Sequence, residues 1–426
     1  MFERIVAPIN RLSGWQYRLS AAHSPFGQGL EKQHDRQAGS AFTPQNSLIE
    51  MKRASTGAHR PQLSLDIAGS PMLSEFSLIE RYFSQPAAAF PATGDEPKAT
   101  LGIGDDCALL APQHGQQLAI STDMLVSGRH FFPDVAPWAL GYKALAVNLS
   151  DLAAMGAKPR AFTLALSMPK ADESWLEAFS SGLFHMANQH GCELIGGDTT
   201  SGPHVCISIT VFGDVPAAQA LRRDAARPGD DIWVSGVLGG ARAGLGIRRG
   251  EWSMKDPADE TLAIKALEQP EPRVALGIAL RGIAHAALDL SDGLAGDLLH
   301  ILKRSNVRAT VNIDQIPRSG MLATLPETSQ VHCILAGGDD YELCFTAPVS
   351  VRAEIERIGT AQKVLLTRIG TIEGPAAEGQ AASGASSAAP TGAPRDLPAD
   401  LPAIDWRDNT GPVSFPDTGF DHFHAD

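Results

Sequence analysis

Between Ala161 and Val215 the chain changes period twice, and few folds accept that. AFTLALSM (161–168) is a short apolar run of strand length, and DESWLEAFSSGLFHMANQHG (172–191) repeats its apolar residues at helical spacing up to a glycine that closes the helix. CELIG (192–196) follows as a second short strand. HVCISITVFGDV (204–215) then alternates Val205, Ile207, Ile209 and Val211, as a strand with one buried face must. Strands interleaved with amphipathic helices exclude all-helical and all-strand architectures and predict an α/β or α+β domain.

The same reading extends outward. MLSEFSLIERYF (72–83) predicts a helix capped by Ser74, QLAIST a strand, and GYKALAVNLSDLAAMGA a helix ending at Gly156. A second mixed segment starts near Ala220: PGDDIWVSGVLGG reads as turn, strand and glycine turn, helical stretches follow over about 258–286, and AALDLSDGLAGDLLHILKRS runs from a strand through a turn into a helix. At 426 residues the chain exceeds one ordinary domain. The expected division is a disordered or artefactual extension over 1–71 with Met72 as the functional start, an N-terminal domain over 72–219, a C-terminal α/β domain over 220–374, an Ala/Gly/Pro-rich linker over 375–403, and a closing segment over 404–426.

Charge narrows the function. Thirty-five Lys and Arg against 48 Asp and Glu leave a net charge of −13, which repels polyanions, so nucleic acid is not an expected partner. No run of about 18 apolar residues predicts a membrane-spanning helix. The five cysteines, Cys107, Cys192, Cys206, Cys333 and Cys344, are odd in number, lack C-x-x-C spacing and sit mostly in apolar runs. They read as reduced core thiols of a cytoplasmic protein.

Six times an apolar run ends in aspartate beside small residues: at Asp105-Asp106, Ser121-Thr122-Asp123, Ser150-Asp151, Gly196-Gly197-Asp198, Asp289 through Asp292, and Gly337 through Asp340. Any one of these suits a turn or a helix cap. Six carboxylate sites near a core, with few cations close by, instead suggest a hard divalent cation, since buried charge is costly unless paired or metal-bound. Carboxylate and hydroxyl oxygens suit Mg²⁺; without H-E-x-x-H or a Cys/His cluster, zinc is disfavoured. Mg²⁺ on scattered carboxylates commonly serves phosphoryl transfer. The chain has no Gly-Lys pair, hence no P-loop, and neither G-x-G-x-x-G nor an H-R-D triplet. A nucleotide would therefore be held through metal ions, turn amides and a few arginines.

Taken together, SEFSLIERYF, GIGDDCALL, AISTDMLVSGRHF, YKALAVNLSDLAAMGAKP, LIGGDTT-SGP, PGDDIWVSG, LDLSDGL, GGDDYELCFT and the terminal GFDHF resemble the thiamine-monophosphate kinase family, over about 73–374 and 404–423. The resemblance implies two α/β domains. The N-terminal one is ferredoxin-like and joins its counterpart in a homodimer to form an intersubunit β-barrel. It implies ATP as co-substrate, several Mg²⁺ ions and thiamine monophosphate as phosphoryl acceptor. Carried over by position, the metal ligands would be Asp106, Ser121, Thr122, Asp123, Asp151, Asp198, Asp289 and Asp292. ATP would meet Gly197, Asp198, Arg223 and Ser291; thiamine monophosphate would meet His130, Asp339 and Phe420. The family often carries Glu at the position of Asp339 and Tyr at that of Phe420.

The implied reaction is direct in-line transfer of the γ-phosphoryl group of ATP, completing thiamine diphosphate. The alternatives are another ATP-dependent relative, of the aminoimidazole ribonucleotide synthetase or selenophosphate synthetase kind, and a non-catalytic metal- or nucleotide-binding module. A selenophosphate synthetase would need a reactive cysteine with a nearby lysine in an early glycine-rich loop, which is missing here; the binding module lacks the D-x-[DN]-x-[DN]-G loop of an EF-hand.

Overall fold

The computed structural model describes residues 75–84, 99, 101–103, 107–374 and 404–415. The expected 1–71 extension, the Ser74 cap, the Asp105-Asp106 pair, the 375–403 linker and GFDHF lie outside the described residues. What is described is a mixed α/β structure with two sheets.

The first sheet contains β1 (Gln116–Val126), β2 (Lys158–Met168), β3 (Glu193–Ser201) and β4 (Cys206–Pro216), in the order β1-β4-β2-β3. β4 runs antiparallel to both its neighbours, and β2 and β3 are parallel. Parallel neighbours need a crossover, supplied by α3 (Glu173–His190). Its ends follow the sequence: the Asp172 carboxylate accepts from the Trp175 amide at 3.2 Å, and Gly191 leaves the helix at φ 63°. Along β4, Ile207, Ile209 and Val211 are almost wholly buried, so the alternation seen in the sequence marks the covered face. α1 (Glu75–Tyr82) packs against α3 and β3.

The second sheet has seven strands: β5 (Asp230–Ser235), β6 (Ala286–Asp289), β7 (Arg308–Asn312), β8 (Leu343–Pro348), β9 (Leu366–Glu373), β10 (Ile404–Asp408) and β11 (Gly411–Pro412). Their order is β11-β10-β7-β9-β5-β8-β6, antiparallel throughout except for β10 on β7. β5, between β9 and β8, is buried on both faces. Trp233 stacks on Phe345 in a core shared with the first sheet, while Ile232 and Val234 face a second core built around α7 (Leu294–Ser305) and α8 (Glu327–Ala336).

α2 (Pro137–Ala154) joins the two halves. It is buried along nearly its whole length, packs on α3 and on α6 (Val274–Ala279), and touches β1, β4 and β6. Small residues permit this. A Cβ on Gly182 would stand 1.9 Å from the Trp138 carbonyl oxygen, and one on Gly141 2.0 Å from that of Phe179, so only glycine allows the α2–α3 approach.

Two local expectations differ. GGDTT does not end its strand, because β3 continues through it to Ser201 along β2. The second glycine of VLGG does not close a turn but starts α4 (Gly240–Arg249), which packs on α5 (Pro257–Glu268). Among the described residues, no helix is long and apolar enough to cross a membrane. The cysteines are all free; Cys192, Cys333 and Cys344 are buried as expected, but Cys107 is exposed and Cys206 partly so.

Candidate active site

Strand alternation sorts the residues of STD on β1. Ser121 and Asp123 face α2, and the Ser121 hydroxyl donates to the Asp151 carboxylate near that helix's C-terminus. Thr122 faces the other way, exposed, with its hydroxyl 2.8 Å from that of Thr210 across the strand pair. The Asp123 amide donates at 3.1 Å to Asn148 Oδ1, and Asn148 Nδ2 donates back to the Ala144 carbonyl at 2.9 Å. Asn148 thus locks β1 to α2 beside the two carboxylates.

The second sheet adds its share at the end of β6. Asp289 is buried, and the loop after it is held by Asp297, whose carboxylate accepts from the amides of Asp292 (3.0 Å) and Gly293 (3.1 Å). Burial raises the Asp123 carboxyl above its ordinary pKa, and the charges of Asp151, Asp289 and Asp292 push it further. Asp289 is raised by burial and then by Asp151. Asp151 is raised by burial, against which its hydrogen bond from Ser121 and the charge of Arg223 act. A strand of each sheet and the helix between them therefore bring four aspartates into one another's field, and exposed Arg223 is a cation that tempers Asp151 and Asp289.

Such a set is short of positive charge. Among the described residues no three His, Cys, Asp or Glu converge closely enough to form a metal site by themselves. A hydroxyl and carboxylates completed by water and phosphate oxygens suit Mg²⁺, which seldom takes an all-protein cage. The donor set fits that ion.

Residues 104–215 match the AIR synthase related protein N-terminal domain, and residues 227–378 match the C-terminal domain of the same group. The thiamine-monophosphate kinase of Salmonella typhimurium is 48% identical over 283 residues, covering 66% of this chain and 85% of the relative. The chain belongs to the thiamine-monophosphate kinase family. The crystal structure of thiamine-monophosphate kinase from Stenotrophomonas maltophilia superposes with a TM-score of 0.62 at 49% identity, covering 65% of this chain and 89% of that one. The structure of AaThiL complexed with AMPPCP and TMP gives a TM-score of 0.56 at 30% identity, covering 62% and 83%.

The remaining positions expected for a thiamine-monophosphate kinase fall in three places. Asp339 lies close to the aspartate cluster: its Oδ1 accepts from the Tyr341 hydroxyl at 3.1 Å, and the ring of Tyr341 feels the charges of Asp123 and Asp289 as well. Ser291 is tied to the same loop through its carbonyl, which accepts from the Asp339 amide at 2.9 Å. His130 sits in the turn beyond β1, where its Nδ1 accepts from the Val126 amide at 3.0 Å. Gly197 and Asp198 are exposed on edge strand β3, paired along β2 with Leu164 and Ala165. Asp106 and Phe420 lie outside the described residues.

Sequence reasoning passed over Lys143, Asn148, Tyr341 and Asp297. Two of them left a signal, since a lysine and an asparagine inside an otherwise apolar helix ask for buried partners.

Proposed function

We propose that this chain phosphorylates thiamine monophosphate at the expense of ATP, giving thiamine diphosphate and ADP. The observation that carries the reading is the meeting of Ser121, Asp123, Asp151, Asp289 and Asp292 where two sheets join, in a chain 48% identical to a thiamine-monophosphate kinase. The relative solved with an ATP analogue and TMP supports the same pair of substrates.

Ser121, Asp123, Asp151, Asp289 and Asp292 would hold Mg²⁺, joined by Asp106 and by Thr122 and Asp198 through whatever groups they present. Bound there, the ion neutralises phosphate oxygens that would otherwise repel one another. The acceptor is a phosphate whose second pKa is about 6, so it is already mostly dianionic at neutral pH and needs no protein base. One of its oxygens forms the new bond to the γ-phosphorus as the bond to the departing ADP oxygen breaks. Asn148 and Ser121 fix the carboxylates before substrate arrives, and Arg223 offers a guanidinium to the nucleotide phosphates. Gly197, Asp198 and Ser291 complete the ATP contacts, and His130, Asp339 and Phe420 those to thiamine monophosphate.

The unit of function is proposed to be a homodimer whose first sheets close a barrel. Helices cover one face of that sheet, while Leu118, Ile120 and Met124 of β1 stand exposed on the other, an apolar stripe that a second copy would bury. The proposed domains are 72–219 and 220–374, with 404–426 completing the second. In support, β4 ends at Pro216, β5 begins at Asp230, and β10 extends the second sheet along β7. A cytoplasmic location is supported by the five free thiols.

The substrate is tested by offering the purified chain ATP and Mg²⁺ with thiamine monophosphate, thiamine, selenide or formylglycinamidine ribonucleotide. Turnover with the first alone is expected. Turnover with selenide or the ribonucleotide instead would move the chain to another activity of the wider group. Inversion of configuration at a chiral γ-phosphorus would mark direct transfer, and retention would contradict it.

A further inference from the structure

Lys143 is an anomaly in α2. It is 4% exposed in a helix of otherwise mostly apolar residues, and its ammonium does two things there. It donates to the Leu267 carbonyl at 2.9 Å, at the C-terminal end of α5, and it pairs with Asp339 Oδ2 at 3.2 Å. The other oxygen of Asp339 accepts from Tyr341 at 3.1 Å. Both carboxylate oxygens are therefore held, yet about a third of the side chain (31%) still faces solvent.

The backbone under this carboxylate is constrained as well. Asp339 and Tyr341 take φ values of 67° and 50°, a left-handed region that side-chain-bearing residues seldom occupy. The loop is laced to the one before it: the Asp339 amide donates to Ser291, Tyr341 to Leu290, and Leu290 to Glu342, all at 2.8–2.9 Å. Gly338 permits the contact, since a Cβ there would stand 2.4 Å from the Ser291 carbonyl oxygen.

We infer that Lys143 and Tyr341 are positioning residues for the acceptor substrate: they clamp Asp339 in the frame of α2, the helix that also carries Asp151. Eight residues separate Lys143 from Asp151, about 12 Å of helix at 1.5 Å per residue. One rigid element then fixes the spacing between the carboxylate that meets thiamine monophosphate and the carboxylates that hold metal. The inference rests on the reading of Asp339 as a substrate contact.

The test measures initial rates on the full chain against each substrate in turn, with circular dichroism melting as the control for folding. Lys143→Met keeps the aliphatic stem and removes the charge, and Tyr341→Phe removes one oxygen. Each is expected to raise KM for thiamine monophosphate about tenfold while KM for ATP stays within about twofold, a split that general loosening would not give. Asp339→Asn should raise the same KM, and adding Lys143→Met to it should cost little more, because the lysine acts through the aspartate. If Asp339→Asn leaves KM unchanged, the assignment of Asp339 as a contact is wrong. If Asp339→Asn raises it while Tyr341→Phe and Lys143→Met do not, the clamp is wrong and the contact survives. Should Lys143→Met not fold, Tyr341→Phe decides alone.

Discussion

Asp151 is where a packing requirement and a chemical one pull apart. It sits at the end of a buried helix, takes a hydrogen bond from Ser121, and is held beside Asp123 and Asp289, which it repels. Asp151→Asn keeps an oxygen for Ser121 and removes one of the repelling charges. The metal-free variant should therefore melt at or above the temperature of the parent, while turnover of thiamine monophosphate falls by about 100-fold or more. Parallel loss of stability and activity would mean that the carboxylate is structural. Asp340 makes a prediction of a different kind. Its carboxylate accepts from the Gly239 amide at the start of α4, yet burial pushes its pKa up to about 8. A carboxyl group raised in the folded state binds more protons folded than unfolded between its ordinary pKa and that value, so its contribution to stability declines as pH rises across that window. Urea melts from pH 4 to 8 should show that decline in the parent and a flatter profile in Asp340→Asn. Many of these side chains announced themselves in the sequence, because aspartate after an apolar run beside glycine or serine is conspicuous. Lys143 announced only that it needs a partner, which lies about 200 residues away, and Tyr341 gave no sign, since its meaning lies in a backbone angle.

At the scale of elements, α2 governs the site. Its close packing on α3 leaves no room for a side chain at Gly182. Gly182→Ala must push the two backbones apart and should cost about 1–3 kcal/mol in chemical denaturation, with activity falling because Asn148 and Asp151 ride on the displaced helix. A variant as stable as its parent would show that the helices adjust freely. The first half of the molecule was readable because its elements keep one clean period each: β2, α2, α3 and β4 stand where alternation and helical spacing put them, and β1 starts there but runs four residues past QLAIST to Val126. β3 overran its expected end because Gly196 and Gly197, which look like a turn, are accommodated in an edge strand beside β2. α4 escaped notice because GARAGLGIRR carries three glycines, which read as loop until α5 is seen to pack on it. The order of the seven-stranded sheet was not legible at all, since adjacency there is set by long-range pairing such as β5 with β8 and β9, more than 100 residues later.

The whole molecule is organised so that neither sheet makes the site alone. The first supplies Ser121, Asp123 and Asp151 with its covering helix, and the second brings Asp289, Asp292 and Asp339 against them. The exposed stripe on β1 predicts the assembly: Ile120→Lys should convert the proposed dimer to a monomer in sedimentation velocity, and an unchanged sedimentation coefficient would place the interface elsewhere. The claim on which the rest depends is the transfer itself, and ³¹P NMR of the purified chain with ATP, Mg²⁺ and thiamine monophosphate follows it directly. The expected result is loss of the γ-phosphorus signal of ATP with equal gain of ADP and thiamine diphosphate, stopped when the metal is chelated. Thiamine diphosphate formed equally well with chelator present, or ADP accumulating with no thiamine diphosphate, would contradict it.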